Sequence, residues 1–507
     1  MKKYAIYSLI GLWTAGAGLS SCDGLEDQNT NPNATTMVTS GMLATKLLMS
    51  VTRETYTMDD DMLAKDVLSS ELLNDYIYNR LRRADFKSMT ILNNVKGMVE
   101  FATNEEERNS YAALGHFVRV CKYFDMTMRA GDIPYSESMA GDEGIYYPEY
   151  DTQKEVFLGL LNELDEADRL FAAGTHFEGD IVYGGDPAKW RKAVNVLQLQ
   201  LLINLYRKAD DPDLQVRQRF QTITGSRPLF TSGSDNCQLV HSDRTGEKYP
   251  FYKEGNNSIH FFNSTSILVD TLKLWGDRRL FYYAKPTLVS EASGLSHTDW
   301  NAYCGVDPTL PFTEAQGVIV ERNVSLLNER YSQLPAGEPT CLLTYAGMNF
   351  ILAEAAVRGL LAGDAAAYYE TGVRAAMKFT ADHTPDDPMF HHDMKITDDY
   401  VDTYLQGAEV AFADRADRQI RQIILQKYVM NFLQVANQSF FEYRRTGVPA
   451  FPVNPASNLN EPSDRMPVRW MYPESEYTYN KENTDAAVAR QFGEGDTNNG
   501  VMWILKE

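Results

Sequence analysis

The chain has 507 residues, 44% of them hydrophobic, and its 48 basic and 69 acidic side chains leave a formal charge of −21. That balance repels nucleic acid and anionic headgroups, while the length is ample for a large core. Five widely spaced cysteines exclude a disulfide framework and show no metal-type spacing, although one or two disulfides among Cys121, Cys237, Cys304 and Cys341 remain open.

Lys2 and Lys3 precede an apolar run from Ile6 to Leu19, followed by Ser20-Ser21-Cys22. A cationic start, a short apolar core and small residues form an export signal, too short to span a membrane. Residues 1–21 are therefore expected to be removed. Cys22 then offers a free amine and a thiol for acylation, and two or three acyl chains anchor a body that one would hold only marginally. Residues 22–36 read as a flexible acidic tether rich in turn formers, including Asn29-Thr30-Asn31-Pro32-Asn33. Residues 37–507 follow as one domain without an evident linker, and no later apolar run is of transmembrane length. Asp59-Asp60-Asp61 lacks the alternating spacing and glycine of a calcium hand loop and reads as a solvated turn.

Helical periodicity dominates this body. Thr103 with Glu106 predicts a capping box ahead of a stripe of Tyr111, Leu114, Val118, Cys121, Phe124 and Met128. Thr152 with Glu155 repeats the device ahead of Phe157, Leu160, Leu164 and Phe171. Asp186-Pro187 is an N-cap followed by proline at the first helical position, with Trp190, Val194, Leu197 and Leu201 on one buried face. Two aromatic-rich stretches, roughly 227–262 and 286–337, break the period; loops this long are usually functional or disordered, and these hold too many aromatics for disorder. Leu342 to Leu361, a turn over Gly359 to Gly363, and Asp364 to Lys378 read as one helix-turn-helix unit of a tetratricopeptide-type array, its alanines allowing close approach. Another helix fits Asp414 to Val435. From Pro449 onward the chain reads as ordered coil wrapping the helices, and few strands are expected.

Several segments stand in a fixed order: Gly131-Asp132-Ile133-Pro134-Tyr135, Tyr150-Asp151-Thr152-Gln153, Gly185-Asp186-Pro187-Ala188-Lys189-Trp190, Ala353-Glu354-Ala355, Tyr443-Arg444-Arg445-Thr446-Gly447 and Pro467-Val468-Arg469-Trp470-Met471-Tyr472-Pro473. In this set the chain resembles the SusD/RagB family of nutrient-binding outer-membrane lipoproteins over nearly its whole mature length. The resemblance implies an all-α, tetratricopeptide-like fold with long ordered loops and little strand. It places the protein at the outer face of the outer membrane, over a SusC-like TonB-dependent barrel transporter to which it delivers an oligosaccharide or peptide. No cofactor and no catalysis are implied. The chain departs from the pattern in having only Trp503 near its end, and in a Thr57 to Phe86 region rich in tyrosine instead of tryptophan.

Sugar capture calls for aromatic faces against pyranose C–H groups, with amides and carboxylates for the hydroxyls. Trp300 and Tyr303, beside Asp299 and Asn301, have that mixture, as do Tyr76, Tyr78 and Asn79; Tyr249, Phe251 and Tyr252 are weaker candidates. Asp277 and Arg278 read as capping or bridging helices, and Arg444, Arg445 and Arg469 as pairing internally with carboxylates. No nucleophile elbow, zinc helix or phosphate loop is present, and the only histidine cluster, His383 with His391, His392 and Asp393, lacks helical ligand spacing. The chain reads as a surface lipoprotein that captures a glycan. Peptide capture, and a structural or adhesive role without a small ligand, are the alternatives.

Overall fold

The structure, a computed structural model, describes residues 38–52, 58–71, 75–493 and 495–507. The export signal, Cys22 and the tether lie outside the described residues. The long helix Glu105–Ala130 (α1) is capped by Asn104, whose side chain accepts the Glu107 N–H at 2.9 Å. Glu107 in turn accepts from the Thr103 amide and hydroxyl, so the expected box sits one residue further along than Thr103 with Glu106. Helix α2 (Gln153–Ala172) starts on the Thr152/Glu155 box as expected, and α3 (Pro187–Asn204) on Asp186, which accepts from Ala188 and Lys189. These three helices pack in series through aromatic contacts: Phe124 meets Phe157 edge-on at 6.1 Å, and Phe171 stacks on Trp190 at 6.0 Å.

The predicted helix from Leu342 to Leu361 is split. Thr340–Leu343 (β4) is a strand paired antiparallel with Cys237–Leu239 (β2), and helix α4 runs only over Tyr345–Val357. Thr344 makes the break, its hydroxyl accepting the Gly347 N–H at 2.9 Å from an extended backbone. A second two-stranded sheet pairs Val67–Ser69 (β1) with Phe262–Ser264 (β3). Helix α5 (Ala365–Asp382), capped by Asp364, packs back on α4 as the repeat reading requires. Their approach depends on Gly372, where an added Cβ would stand 2.7 Å from the Phe350 ring. The tetratricopeptide-like helical array with little strand is thus present. Helix α6 is Ala416–Met430, shorter than the expected Asp414 to Val435. It stops because Leu433 adopts a left-handed φ of 52°, with its amide donating to Asp61 at 3.0 Å.

Asp59-Asp60-Asp61 is therefore not a solvated turn. It lies in a short helix, Met58–Leu63, where Asp60 meets Arg129 at 3.3 Å and Asp61 is buried. Burial raises the Asp61 carboxyl to about 8, against the opposing pull of the Leu433 hydrogen bond.

After Ala436–Thr446 (α7), the C-terminal stretch is ordered but not all coil: Glu474–Tyr479 (α8) and Lys481–Phe492 (α9) are helices. Ala486, Ala487 and Ala489 favour helix locally within a segment whose overall composition suggested coil. This stretch returns to the first helices. The Tyr472 hydroxyl donates to the Asp132 carbonyl at 2.7 Å, Arg490 pairs with the Asp132 carboxylate at 2.6 Å, and the Ile504 amide donates to Gln153 at 3.0 Å.

Buried charges join the elements. Arg445 and Arg358 converge on Glu354, Arg469 pairs with Asp496 at 2.5 Å, and Asp277 holds Arg279 and the Tyr404 hydroxyl. Arg278 bridges to the Lys395 carbonyl and lies over Tyr400. Arg444 departs from expectation. It donates to the Val468 carbonyl and lies 4.5 Å from the Phe441 ring centre, and burial, reinforced by Arg129, lowers it to about 9. All four described cysteines are free thiols, so the disulfide option falls away; burial pushes the Cys121 thiol up to about 12.

Candidate ligand-binding site

The aromatics singled out in the period-breaking loops mostly face inward. Tyr303 has no exposed surface, its ring lies edge-on to Phe281 at 5.0 Å, and its hydroxyl donates to the His297 carbonyl at 2.8 Å. Trp300 is half-buried against the same Phe281 ring at 4.7 Å. Tyr78 is buried and donates to the Leu310 carbonyl at 3.1 Å. Asn79, at a left-handed φ of 63°, is buried too: its carbonyl accepts from Lys65 and its amide donates to Asn458. Tyr76 is half-buried against the core.

Tyr78, Asn79 and Tyr303 thus have polar atoms engaged within the protein, the two phenols by backbone carbonyls and Asn79 by Lys65 and Asn458. Irregular backbone leaves carbonyls that no ladder satisfies, and a phenol reaching from the core satisfies them while its ring is buried. Tyr249 and Phe251 are buried likewise, and Tyr252 is half-buried under Lys248. The histidine cluster is dispersed in its bonding. His383 contacts the Phe379 carbonyl, His391 Asp386, and His392 the Phe281 carbonyl. Among the described residues no three His, Cys, Asp or Glu side chains come together as a metal site.

Open volume lies elsewhere. A cavity of about 790 Å³ is bounded by α3, β4, α4, α5, α6 and the start of α7. Its buried lining is largely apolar, with Met348 and Ile351, while its exposed lining includes Ser232, Ser234 and Lys378. Gln200 and Gln438 meet there at 2.9 Å, and Lys378 pairs with Asp382 at 2.9 Å. The volume falls within the usual range for a site enclosing a small ligand, and amides and hydroxyls beside an apolar wall suit a polyhydroxylated one. Sequence reading missed this cavity because its walls come from seven separated stretches between residues 196 and 438, none of which shows it alone.

A family model described as starch-binding and associating with the outer membrane matches residues 32–473. Among solved structures, a SusD homolog from Bacteroides fragilis NCTC 9343 is 40% identical, with a TM-score of 0.89 over 92% of this chain and 100% of its own. A second B. fragilis SusD homolog is 33% identical, with a TM-score of 0.83 over 93% of this chain and 100% of its own. A chitin-binding protein at 22% identity and a TM-score of 0.72, covering 92% of this chain and 100% of its own, shares the fold. No curated protein matches the chain in sequence. With the helical array, the ordered motifs and this match in agreement, the chain belongs to the SusD-like family of nutrient-binding proteins associated with the outer membrane.

Proposed function

We propose that the protein captures an extracellular oligosaccharide in the cavity between α3, α4, α5 and α6 and hands it, chemically unchanged, to a SusC-like TonB-dependent barrel. The carrying observation is the cavity of about 790 Å³, walled by apolar side chains and bordered by hydroxyls and amides, in a member of a family described as starch-binding. Such a wall takes the C–H faces of sugar rings while the polar border replaces water at their hydroxyls. Ala375, half-buried in the lining, offers a way to close it. Ala375→Trp is expected to weaken binding about tenfold or more in calorimetric titration against an oligosaccharide panel, with the thermal melt held within a few degrees. Unchanged affinity would move the site elsewhere, and heat released only with short peptides would replace the sugar by a peptide.

In the same reading residues 1–21 are cleaved, Cys22 carries the lipid, and residues 22–36 tether one domain over residues 37–507 at the cell exterior. Cys22→Ala is expected to abolish incorporation of labelled palmitate and to release the protein from the membrane fraction. Persistence of the variant in that fraction after a carbonate wash would refute the anchor.

A further inference from the structure

Among the described residues, only three tyrosines and no tryptophan are exposed: Tyr146 at 74%, Tyr147 at 66% and Tyr479 at 73%. Other described tyrosines are half-buried or buried, so this exposure is concentrated, not scattered. It is also in one place. The Asn483 amide donates to the carbonyls of Tyr147 and Pro148 at 3.0 and 3.2 Å. Asn480, the residue after Tyr479, donates to the same Pro148 carbonyl at 2.8 Å. The loop carrying Tyr146 and Tyr147 is thereby fastened to the junction of α8 and α9.

The fastening is firm on both sides. Tyr150 donates to Glu476 at 2.8 Å and packs edge-on against Tyr472 at 5.2 Å, while the Glu149 amide donates to Glu137 at 2.9 Å. Three rings are therefore displayed on a braced backbone, where little order has to be gained on binding. A grouped set of exposed large apolar faces is the informative exception on a protein surface.

Charge selects the occupant. Glu143, Glu149 and Glu482 are exposed within a few residues of the rings along the chain, while Lys481 and Asp485 pair with each other. That field repels polyuronates, sulfated chains, acidic peptides and anionic lipid. A neutral sugar polymer is unaffected by it, and tyrosine supplies both a flat face for pyranose C–H groups and a hydroxyl for the ring substituents.

We propose that Tyr146, Tyr147 and Tyr479 form a platform gripping an uncharged polysaccharide, separate from the cavity lining, which includes none of these residues. The platform holds a long chain while the cavity takes a short one, and it rests on the glycan reading of the protein's function.

Native affinity electrophoresis of the mature chain in gels holding amylopectin, xylan, galactomannan or polygalacturonate tests it. Wild-type protein is expected to be retarded by at least one neutral polymer and not by polygalacturonate. The triple variant Tyr146→Ala/Tyr147→Ala/Tyr479→Ala should lose that retardation about tenfold or more, with its thermal melt and its calorimetric affinity for short oligosaccharides unchanged. The corresponding triple Phe variant should keep most of it, and Tyr147→Ala or Tyr479→Ala alone should lose part, which covers a triple variant that folds poorly. Triple and single variants retarded like wild type would overturn the platform alone, as would a triple variant that loses only co-purification of a barrel protein. Wild type running freely in all neutral gels would overturn the platform and the glycan reading together.

Discussion

Glu354→Ala is expected to lower the unfolding free energy by about 3–5 kcal/mol, the usual cost of removing one partner from a buried ion pair. Glu354 is fully buried and accepts from Arg445 at 2.5 and 2.6 Å and from Arg358 at 2.7 Å. Arg445 also pairs with Glu442, which pairs with Lys427, so the network ties α4 to α6 and α7. Alanine would leave the buried Arg445 with Glu442 as its remaining carboxylate and take from the half-buried Arg358 its own. Burial pushes the Glu354 carboxyl upward, but Arg445, Arg358 and Lys427 outweigh it and hold the group at about 2, below its ordinary value of 4.5. The folded state therefore releases this proton more readily than the unfolded one. The resulting stability is present above pH 4.5 and lost as pH falls through about 2. Denaturant titrations at pH 7 measure the first effect. A pH series from 5 to 2 measures the second, which Glu354→Gln should flatten; a loss below about 1 kcal/mol for the alanine variant would show that the network relaxes around the gap.

Trp190→Ala should cost a comparable amount, about 3–5 kcal/mol, by opening a cavity at the centre of the first three helices. Trp190 has no exposed surface, stacks on Phe171, and meets Phe117 and Tyr183 edge-on, both at 5.0 Å. Its indole N–H donates to Asp180 at 2.7 Å. Asp180 also accepts from the amides of Val182, Tyr183 and Gly185, so losing the indole donor alone leaves the carboxylate well supported. Trp190→Phe should consequently lose less than half as much as alanine. Equal losses in urea titration would instead assign the stability to the hydrogen bond.

The parts of the fold legible in the sequence were those written locally. Thr152 with Glu155 and Asp186-Pro187 each cap the helix they foretold, because a cap depends on residues within one turn. The split at Thr344 was not legible, since the pairing of β4 with β2 joins residues about a hundred positions apart. The candidate site was harder still. Tyr303 and Tyr78 sit in loop-like sequence, yet the first donates to a carbonyl six residues back and the second to one 232 residues on, and both rings end up inside. Nothing local separates Tyr146-Tyr147, which is exposed, from Tyr282-Tyr283, which is buried. Exposure is decided by what packs above a residue, and a single sequence does not state that.

The return of the C-terminal stretch to Asp132 and Gln153 bears on biogenesis. Arg490 and Asp132 are joined across 358 positions, and Ile504 and Gln153 across 351, so the first helices wait for these partners until more than 350 further residues have been made. A nonsense codon before Arg490 would yield a product with Asp132 uncompensated, and such fragments should be degraded instead of accumulating.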